Sequence, residues 1–500
     1  MMHVQQWEET CDVLVLGGGT AGCLISGVLA RRLPKLKVTL VDSGTNYDAD
    51  GLLDRVPQKP VTPGTRTFFR NTGAEFVPAP SEIGGSSLMH GGIALRGTRD
   101  DHDEWFRVAG EEWSPQDLAS LFHRLESDTD EPAVGSPLHV AELTTLPAAY
   151  RAFHAYCARV FGAAADLNRP EAHGVGLVPS ACTDGRIATT YRQHILPDPV
   201  PANLRLRAET VVDHVRLRGE RVDRVAVRHL RTGRPSQLRA DVVVLAAGAL
   251  GTPEILLRSG IGAAAASEEL GIPVALDLPA VGARLRDHSV LWSEATVTDT
   301  PAAPPWPWHA VLCRTSPTDE HLPDCSFELF HDFRLRTRQL WSRRVVISCT
   351  QLHDISPGRV RLEMSGTRLR TRIDGAVPRT LAAMEQYAEH VGALLKEEEF
   401  QGVGMRAPYP VPYPSSQGRN SAAGLLPKVR SAYHFHGTCP MGTDPGSAVV
   451  SPDLRVFGTG NLYVADASVL PVQFGANTHH VTRATALRAA DALSSLFGYS

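Results

Sequence analysis

The chain has 500 residues, of which 43% are hydrophobic and 21% charged, and its formal net charge is −4. This length and balance are typical of a globular protein with roughly three domain-sized units. The small net charge argues against a nucleic-acid partner.

Targeting signals and cysteine pattern also limit the possibilities. No apolar run reaches transmembrane length, so we expect a soluble chain without a membrane span. Residues 1–10 lack the basic and apolar regions of a signal peptide. The eight cysteines are scattered without a Cys-x-x-Cys pair. This pattern favours reduced thiols and a cytoplasmic location over a zinc site or a disulfide framework.

The first motif is a glycine-rich turn between a strand and a helix. The apolar run Val13–Leu16 predicts a buried parallel strand, and a helix is expected over 23–33. Between them, Gly17, Gly19 and Gly22 fit the pattern Gly-x-Gly-x-x-Gly. Such glycines permit a tight turn, close approach of a pyrophosphate and close helix packing, and the helix N-terminus favours phosphate.

A carboxylate follows at the position where dinucleotide-binding folds hold a ribose. The second predicted strand, Val38–Val41, ends in Asp42. The order of strand, helix, strand and acid favours a dinucleotide site over a structural glycine turn. Because a carboxylate disfavours a 2′-phosphate, FAD or NAD fits better than NADP.

Three different stretches come next. The proline-rich segment 46–80 predicts a long loop over the cofactor. Glycines and serines in 83–92 favour contact with a flat or phosphorylated group rather than a flexible linker. Segment 101–124 predicts one amphipathic helix. Its expected buried face consists of Trp105, Phe106, Leu118, Leu121 and Phe122.

Residues 204–247 predict a meander followed by a central strand. The expected meander strands are Leu204–Arg207, Val211–Leu217 and Val222–Leu230. The continuous apolar run Val242–Ala247 predicts a central parallel strand that returns the chain to the first sheet. Thr252 as N-cap and Pro253 in the first turn predict a helix over 253–258.

Residues 300–430 change character and predict a second domain that supplies a substrate wall. Two proline-aromatic stretches, 304–308 and 408–414, are interpreted as rigid loops, with extended peptide-binding motifs as the alternative. Strands are expected over Cys325–Phe330 and Val345–Gln351, and a helix over Thr380–Glu398.

The C-terminal region concentrates histidines near a second strand, loop and helix. His434 lies in the run 433–442, a predicted strand leads to Asp466, and a helix opens at 477–480. A helix N-terminus after a strand and a loop again favours negative charge.

These motifs resemble the glucose–methanol–choline (GMC) family of flavin oxidoreductases over nearly the whole chain. The matching elements, in family order, are the N-terminal glycine motif, Gly84–Ser87, Arg96-Gly97 with Asp103–Trp105, Gly248–Gly260, Pro279–His288, His434–Thr438 and Asp466–Ser468. The resemblance implies FAD as cofactor and an α/β fold. In that fold a Rossmann-like FAD-binding domain of discontinuous segments lies beside an α+β substrate domain with an antiparallel sheet. The implied segments are 8–125, 191–292 and 431–500 for FAD binding, and 126–190 and 293–430 for substrate binding.

The resemblance also implies the site. It places the catalytic histidines at His434 and His479. The implied cofactor contacts are Gly17, Gly19, Thr20, Ala21, Gly22, Asp42, Ser43, Gly84, Gly85, Ser86, His90, Gly91, Val212, Ala247, Asp466, Ala467, Thr478 and His479.

The expected chemistry is oxidation of a primary or secondary alcohol to an aldehyde or ketone. This reaction needs hydride transfer from carbon to flavin N5 and removal of the hydroxyl proton. A neutral imidazole at His434 suits the base, and His479 is expected to hydrogen-bond the same oxygen. The helix N-terminus at 477–480 is expected to stabilise negative charge on the reduced flavin. Oxygen or another electron acceptor would then reoxidise it.

Other functions would use the same residues. Some relatives are hydroxynitrile lyases that keep FAD only structurally, and the histidine pair suits both activities. A light-driven fatty-acid decarboxylase is disfavoured because no long apolar channel is apparent. A non-enzymatic FAD-binding protein is disfavoured by the two histidines. A metal site at His434/His436 and His479/His480 is disfavoured because no carboxylate or thiolate with metal spacing joins them.

The chain departs from the family pattern at several positions. His90 stands where most relatives have Asn, so it either bonds covalently to the flavin or replaces Asn in a hydrogen bond. Asp42 replaces the usual Glu, and Ala283-Arg284 replaces a pair that usually ends in Asn. The aromatic residues expected to line the pocket entrance for a bulky alcohol are Trp306, Trp308, Tyr409 and Tyr413.

Overall fold

The computed structural model describes residues 8–45, 66–70, 76–79, 82–88, 90–127, 134–183, 186–187, 189–197, 199–298, 310–315, 325–331, 344–353, 355–378, 382–404 and 429–499. In chain order the strands are β1 (Glu8–Leu16), β2 (Val38–Val41), β3 (Arg66–Arg70), β4 (Phe76–Ala79), β5 (Gly174–Leu177), β6 (Cys182–Thr183), β7 (Arg186–Ile187), β8 (Leu204–Arg207), β9 (Thr210–Arg218), β10 (Arg221–His229), β11 (Pro235–Leu245), β12 (Ile261–Gly262), β13 (Leu276–Asp277), β14 (Ser289–Thr296), β15 (Val311–Thr315), β16 (Cys325–His331), β17 (Arg344–Gln351), β18 (Ile355–Ser356), β19 (Arg359–Ser365), β20 (Arg368–Asp374), β21 (Val377–Pro378), β22 (Arg430–Ser431) and β23 (Leu462–Val464). The helices are α1 (Thr20–Arg32), α2 (Arg99–Ala109), α3 (Pro115–Glu126), α4 (Ala148–Phe161), α5 (Thr190–His194), α6 (Gly248–Arg258), α7 (Ala264–Glu269), α8 (Ala382–Leu394), α9 (Glu398–Gly402) and α10 (Thr478–Leu496).

A seven-stranded sheet forms the centre of the part of the fold that is predicted to bind FAD. Its order is β8-β2-β1-β11-β10-β9, and β23 also pairs with β11. The strands β8, β2, β1, β11 and β23 run parallel. On one side of β11, residues 235–238 pair with β10 and residues 243–245 pair with β23. The parallel core and the antiparallel meander therefore share β11.

Most predicted elements of this sheet are confirmed, with two corrections. The predicted strands at 13–16, 38–41 and 242–247 are neighbours, since β1 pairs with both β2 and β11. Assignment of 204–207 to the meander is wrong, because β8 pairs in parallel with β2 and the meander consists of β9, β10 and β11. The helix predicted at 253–258 begins earlier, at Gly248.

Pro253 therefore lies inside α6, where it has no N–H to donate to the carbonyl of Ala249. The hydroxyl of Thr438 donates to this carbonyl instead, at 2.7 Å. Thr438 is fully buried. A side chain from the C-terminal histidine segment thus replaces the missing helix hydrogen bond.

We expect Thr438→Val to lower the free energy of unfolding by about 1–3 kcal/mol, because a buried carbonyl loses its partner. Urea denaturation of purified protein measures the change. Thr438→Ser keeps the hydroxyl and serves as the control. Equal losses in both variants would contradict the assigned role of this hydrogen bond.

Two other segments differ from their predicted form. The helix predicted over 101–124 is divided into α2 and α3 at Gly110, whose φ of +80° ends α2. Of its predicted buried face, all but half-buried Phe106 are buried. Within the loop predicted over 46–80, β3 and β4 join a four-stranded sheet with β19 and β20. The rest of that stretch lies outside the described residues.

A second sheet has the order β22-β14-β17-β16-β15-β5 and is antiparallel throughout. The predicted strands at 325–330 and 345–351 are confirmed within it, and the helix predicted at 380–398 is observed as α8. Helices α4 and α8 pack against this sheet around a core separate from that of the first sheet. The domain boundaries stay a prediction, and two of them, 292/293 and 430/431, fall within β14 and β22.

A buried cation on this sheet contacts segments outside the sheet. Arg314 on β15 is 1% exposed. Its guanidinium donates to the carbonyls of Gly97, Leu167 and Gly475 at 3.0–3.3 Å. These bonds satisfy the charge in the interior and fix the segment that leads into α10.

Within the described ranges, no helix combines the length and the apolar character that a membrane-spanning helix needs.

Candidate active site

The glycine turn after β1 is crowded by the chain at two of its positions. Gly17 has a φ of +114°, and a Cβ there would lie 2.4 Å from the carbonyl oxygen of Ala246. A Cβ at Gly22 would lie 1.8 Å from the carbonyl oxygen of Gly17. These two glycines are therefore required by the turn itself and by the packing of α1 on the sheet.

Gly19 is different, because the chain leaves room for a side chain there. Its φ is −82°, and among the described residues beyond its chain neighbours, a Cβ would meet no atom closer than the Cα of Gly85, at 4.0 Å. Gly19 precedes the N-terminus of α1, where backbone N–H groups favour phosphate. Packing within the described protein therefore does not require glycine at position 19. Its lack of a side chain fits close approach of a bound pyrophosphate.

Asp42 closes this turn from the end of β2. Its two carboxylate oxygens accept hydrogen bonds from the backbone N–H groups of Gly18, at 2.6 Å, and Gly44, at 2.5 Å. Ser43 lies between Asp42 and Gly44. The N–H of Thr210 donates to the carbonyl of Asp42, so β9, which carries Val212, starts beside the same sheet edge.

The second glycine loop packs directly on the first. The N–H of Gly84 donates to the carbonyl of Gly18 at 2.7 Å, and a Cβ at Gly85 would lie 2.9 Å from the Cα of Gly19. Ser86 is exposed at this edge. The predicted residues of both loops thus come together around one helix N-terminus.

Asp466 is used within the protein. Its carboxylate accepts from the N–H of Gly248, the hydroxyl of Thr252 and the N–H of Ser468, at 2.6–2.8 Å. It is 2% exposed, and burial raises its pKa. Asp466 thereby ties the start of α6, next to Ala247, to the turn that contains Ala467. The expected contact of Asp466 with the cofactor stays a prediction.

His434 is held by a second histidine through its Nδ1 atom. The Nε2 of His288 lies 2.7 Å from the carbonyl oxygen of Phe474, which can only accept, so this Nε2 carries hydrogen. Burial and the nearby histidines lower the pKa of His288 well below its usual value, so the ring is neutral and its Nδ1 accepts. The Nδ1 of His434, 2.8 Å away, must then be the donor. A neutral His434 consequently has an unprotonated Nε2, as a base requires.

The second group at His434 is Asn477, not His479. The amide Nδ2 of Asn477 lies 3.2 Å from the Nε2 of His434. Asn477 precedes α10, and His479 follows two residues later. His434 thus contacts the residue before the helix, whereas the contacts of His479 are with other groups, and the predicted catalytic pair of His434 and His479 stays a prediction.

His479 faces the glycine turn instead. Its Nδ1 lies 3.3 Å from the hydroxyl of Thr20, and its ring stacks on His90 with centroids 3.9 Å apart. Burial, followed by the nearby His90, lowers the pKa of His479 well below its usual value. Its Nε2 is buried without a hydrogen-bond partner among the described residues. A buried, unsatisfied nitrogen beside the glycine turn fits contact with the bound cofactor.

The two remaining histidines of the C-terminal motifs are packed inside the protein. The Nδ1 of His436 lies 2.8 Å from the carbonyl of His434, and burial lowers the pKa of His436 to about 3. The Nε2 of His480 lies 2.8 Å from the carboxylate of Glu126, which also binds Arg96. Across the described ranges, no three His, Cys, Asp or Glu side chains are placed to hold a metal ion.

The parallel sheet and its two glycine loops are typical of a dinucleotide-binding fold. Models of the GMC oxidoreductase family match residues 11–290 and 355–486, and the chain belongs to this family. Proteins of the family bind FAD, and FAD is the cofactor. The glycine turn, Asp42 and the edge beside His479 fit this group.

Curated relatives and solved structures share nearly the whole chain. Human mitochondrial choline dehydrogenase is 26% identical over 97% of this chain and 90% of its own length. Alcohol dehydrogenase [acceptor] of Pseudomonas putida is 25% identical over 96% and 95%. The crystal structure of pyridoxine 4-oxidase from Mesorbium loti is 25% identical, with a TM-score of 0.78 over 96% and 98%.

The contacts of His434 with His288 and Asn477 were not predicted from the sequence. His288 lies in the Pro279–His288 element, which the resemblance identified without a role for that side chain. Asn477 stood in the predicted helix start, but its capping position gave no sign of contact with His434. Gly91 follows His90, and Thr478 begins α10. The covalent link through His90 stays a prediction, and the proline-aromatic stretches with Trp306, Trp308, Tyr409 and Tyr413 lie outside the described residues.

Proposed function

We propose that this FAD-dependent oxidoreductase oxidises a primary or secondary alcohol to an aldehyde or ketone, with His434 as the base. The observation that carries the proposal is the pair of contacts from His434 Nδ1 to His288 and from His288 Nε2 to the carbonyl of Phe474, from which we infer an Nε2 of His434 without hydrogen. The names of the two curated relatives and of the crystallised oxidase, which concern alcohol-type substrates, support the same reaction class.

The chain supplies two groups that meet at one point. The amide of Asn477 lies 3.2 Å from the Nε2 of His434, and an alcohol oxygen beside both groups can replace this direct contact, donating to Nε2 and accepting from the amide. His434 takes the hydroxyl proton, and Asn477 stabilises negative charge that develops on the oxygen. When bound, FAD supplies the acceptor for the hydride that leaves the carbon. The N-terminus of α10 favours the negative charge that results.

The site also orients its own base. The backbone N–H of His434 donates to the carboxylate of Asp287 at 2.8 Å, and this carboxylate also accepts from the N–H of His288. Each of the two histidines is therefore held twice, by its backbone N–H to Asp287 and by the contact between the two rings. A base held in one geometry does not need to reorganise during proton transfer.

The test is the absorption spectrum of the purified holoenzyme under nitrogen, before and after addition of a panel of primary and secondary alcohols. We expect the flavin absorbance to bleach with one alcohol class. Admission of air then distinguishes oxygen from another electron acceptor by the rate at which the colour returns. Flavin that stays oxidised with every alcohol, together with cleavage of cyanohydrins, would overturn the proposal in favour of a lyase.

A cytoplasmic location is proposed on the cysteine pattern alone.

A further inference from the structure

The hydrogen bonds of His434 continue beyond His288 into one peptide group. His288 binds the carbonyl oxygen of Phe474 at 2.7 Å. The N–H of the same peptide, that of Gly475, donates to Oδ1 of Asp101 at 2.9 Å. Asp101 is 2% exposed and lies in the first turn of α2. A continuous series of hydrogen bonds therefore joins the base to a buried carboxylate, and we name it the His434–Asp101 chain.

The peptide in the middle of this chain is fixed from several sides. Arg314 donates to the carbonyl of Gly475 at 3.0 Å. A Cβ at Gly475 would lie 2.7 Å from Nε2 of His353 and 3.0 Å from Oδ2 of Asp101. Gln473, one residue before Phe474, donates to the carbonyl of Leu352 at 2.8 Å. The peptide therefore has little freedom to turn away from either of its partners.

The direction of each hydrogen bond follows from the end at Asp101. A carboxylate can only accept, so it orients the peptide with its N–H toward Asp101 and its carbonyl toward His288. The negative charge polarises the peptide, and hydrogen bonds in such a series strengthen one another in the interior. The carbonyl then keeps hydrogen on Nε2 of His288, and Nδ1 of His288 in turn accepts from His434.

We propose that Asp101 is a positioning residue that, through the Phe474–Gly475 peptide and His288, holds His434 with hydrogen on Nδ1 and a basic Nε2. Asp101 touches neither substrate nor cofactor in this role. Its charge also favours the protonated ring that His434 becomes during alcohol oxidation. The inference rests on the proposed function for its catalytic meaning, but the tautomer it requires is independent of turnover.

Other charged and titratable groups lie near the two ends of the His434–Asp101 chain. A substitution at Asp101 leaves these groups in place. Around His434 and His288 these are Arg286, Asp287, His353 and His436. Around Asp101 they are His102, Asp103, Arg314 and His353.

The first test needs no substitution at Asp101. Two-bond proton–nitrogen NMR spectra of holoenzyme labelled with ¹⁵N in the histidine rings report which ring nitrogen carries hydrogen. Loss of signals in His434→Gln and His288→Gln assigns the two rings. We expect hydrogen on Nδ1 of His434 and on Nε2 of His288. Hydrogen on Nε2 of His434 in the unsubstituted protein would overturn the proposal.

The second test is Asp101→Asn, which removes the charge at nearly constant volume. Without the carboxylate, the protonated form of His434 is less favoured, so the titration midpoint of its ring falls. We expect that midpoint, and the acid limb of the pH profile for flavin reduction, to move to lower pH by on the order of half a unit. Asp101→Glu keeps the charge and is expected to stay near the original midpoint.

A matched control separates positioning from helix capping. The hydroxyl of Thr98 accepts from the N–H of Asp101 and caps α2. Thr98→Val removes this cap but keeps the carboxylate that accepts from the N–H of Gly475. We expect Thr98→Val to lower the melting temperature. The titration midpoint of the His434 ring and the acid limb of the pH profile for flavin reduction should both stay where they are. Equal midpoints in Asp101→Asn and the unsubstituted protein would reduce Asp101 to a structural role. If no alcohol reduces the flavin of the unsubstituted protein, the proposed function fails while the NMR result still decides this inference.

Discussion

Replacement of His434 by Gln is expected to lower the rate of flavin reduction by about 10²- to 10⁴-fold, the usual contribution of a positioned general base. The Gln amide reaches the region of the Nε2 atom but cannot take a proton at neutral pH. Stopped-flow absorbance under nitrogen, with the alcohol that bleaches the native enzyme, measures the rate. The flavin content of the variant should be unchanged, because His434 bonds to His288 and Asn477 within the protein.

His436→Asn is the matched control for this experiment. His436 is fully buried, lies two residues away, and donates through Nδ1 to the carbonyl of His434. The Asn amide can preserve that donor, so we expect most of the reduction rate to remain. A loss in His436→Asn as large as in His434→Gln would point to distortion of the segment rather than removal of a base.

The second large effect concerns two glycines of the same motif. In Gly19→Ala the new methyl group meets open space among the described residues, where the nearest atom beyond its chain neighbours is the Cα of Gly85 at 4.0 Å. It occupies the space that a bound pyrophosphate needs. We therefore expect the apoprotein to keep its melting temperature, while FAD affinity falls by about 10- to 100-fold, or 1.4–2.8 kcal/mol. Fluorescence titration of the apoprotein with FAD measures the affinity.

Gly22→Ala is the contrasting variant. Its methyl group would lie 1.8 Å from the carbonyl oxygen of Gly17, a main-chain atom that cannot move aside without opening the turn. The apoprotein itself is then expected to lose about 3 kcal/mol of folding free energy. A Gly19→Ala apoprotein that is destabilised to the same degree would show that Gly19 is required by the fold rather than by the cofactor.

The sequence predicted the features that depend on local pattern. The apolar runs at β1, β2 and β11 and the glycine spacing 17, 19 and 22 identified the nucleotide edge, since buried parallel strands and phosphate turns have strong local signals. The start of α6 was predicted late because Thr252 followed by Pro253 is typical of a helix N-terminus, whereas this proline lies inside the helix. Its cost is offset by Thr438, which is distant in sequence and invisible to a local pattern.

The candidate site was predicted only as far as motifs reach. His434 was identified from a family element, but which ring nitrogen it offers depends on His288 and on one peptide far along the chain. The choice between Asn477 and His479 depends on the rotation of α10, and two residues at the start of a helix cannot be ranked without the packing that sets it. Long-range geometry of this kind is settled by tertiary contacts, not by composition.

The guanidinium of Arg314 has a consequence for motion. Its partners are main-chain oxygens, including that of Gly475 in the segment that carries Asn477. Outward movement of this segment would leave a cation in the interior without those partners, at a cost of several kcal/mol. Local opening of this segment is therefore rare. We expect the amide hydrogens around Gly475 to be among the last in the protein to exchange with water.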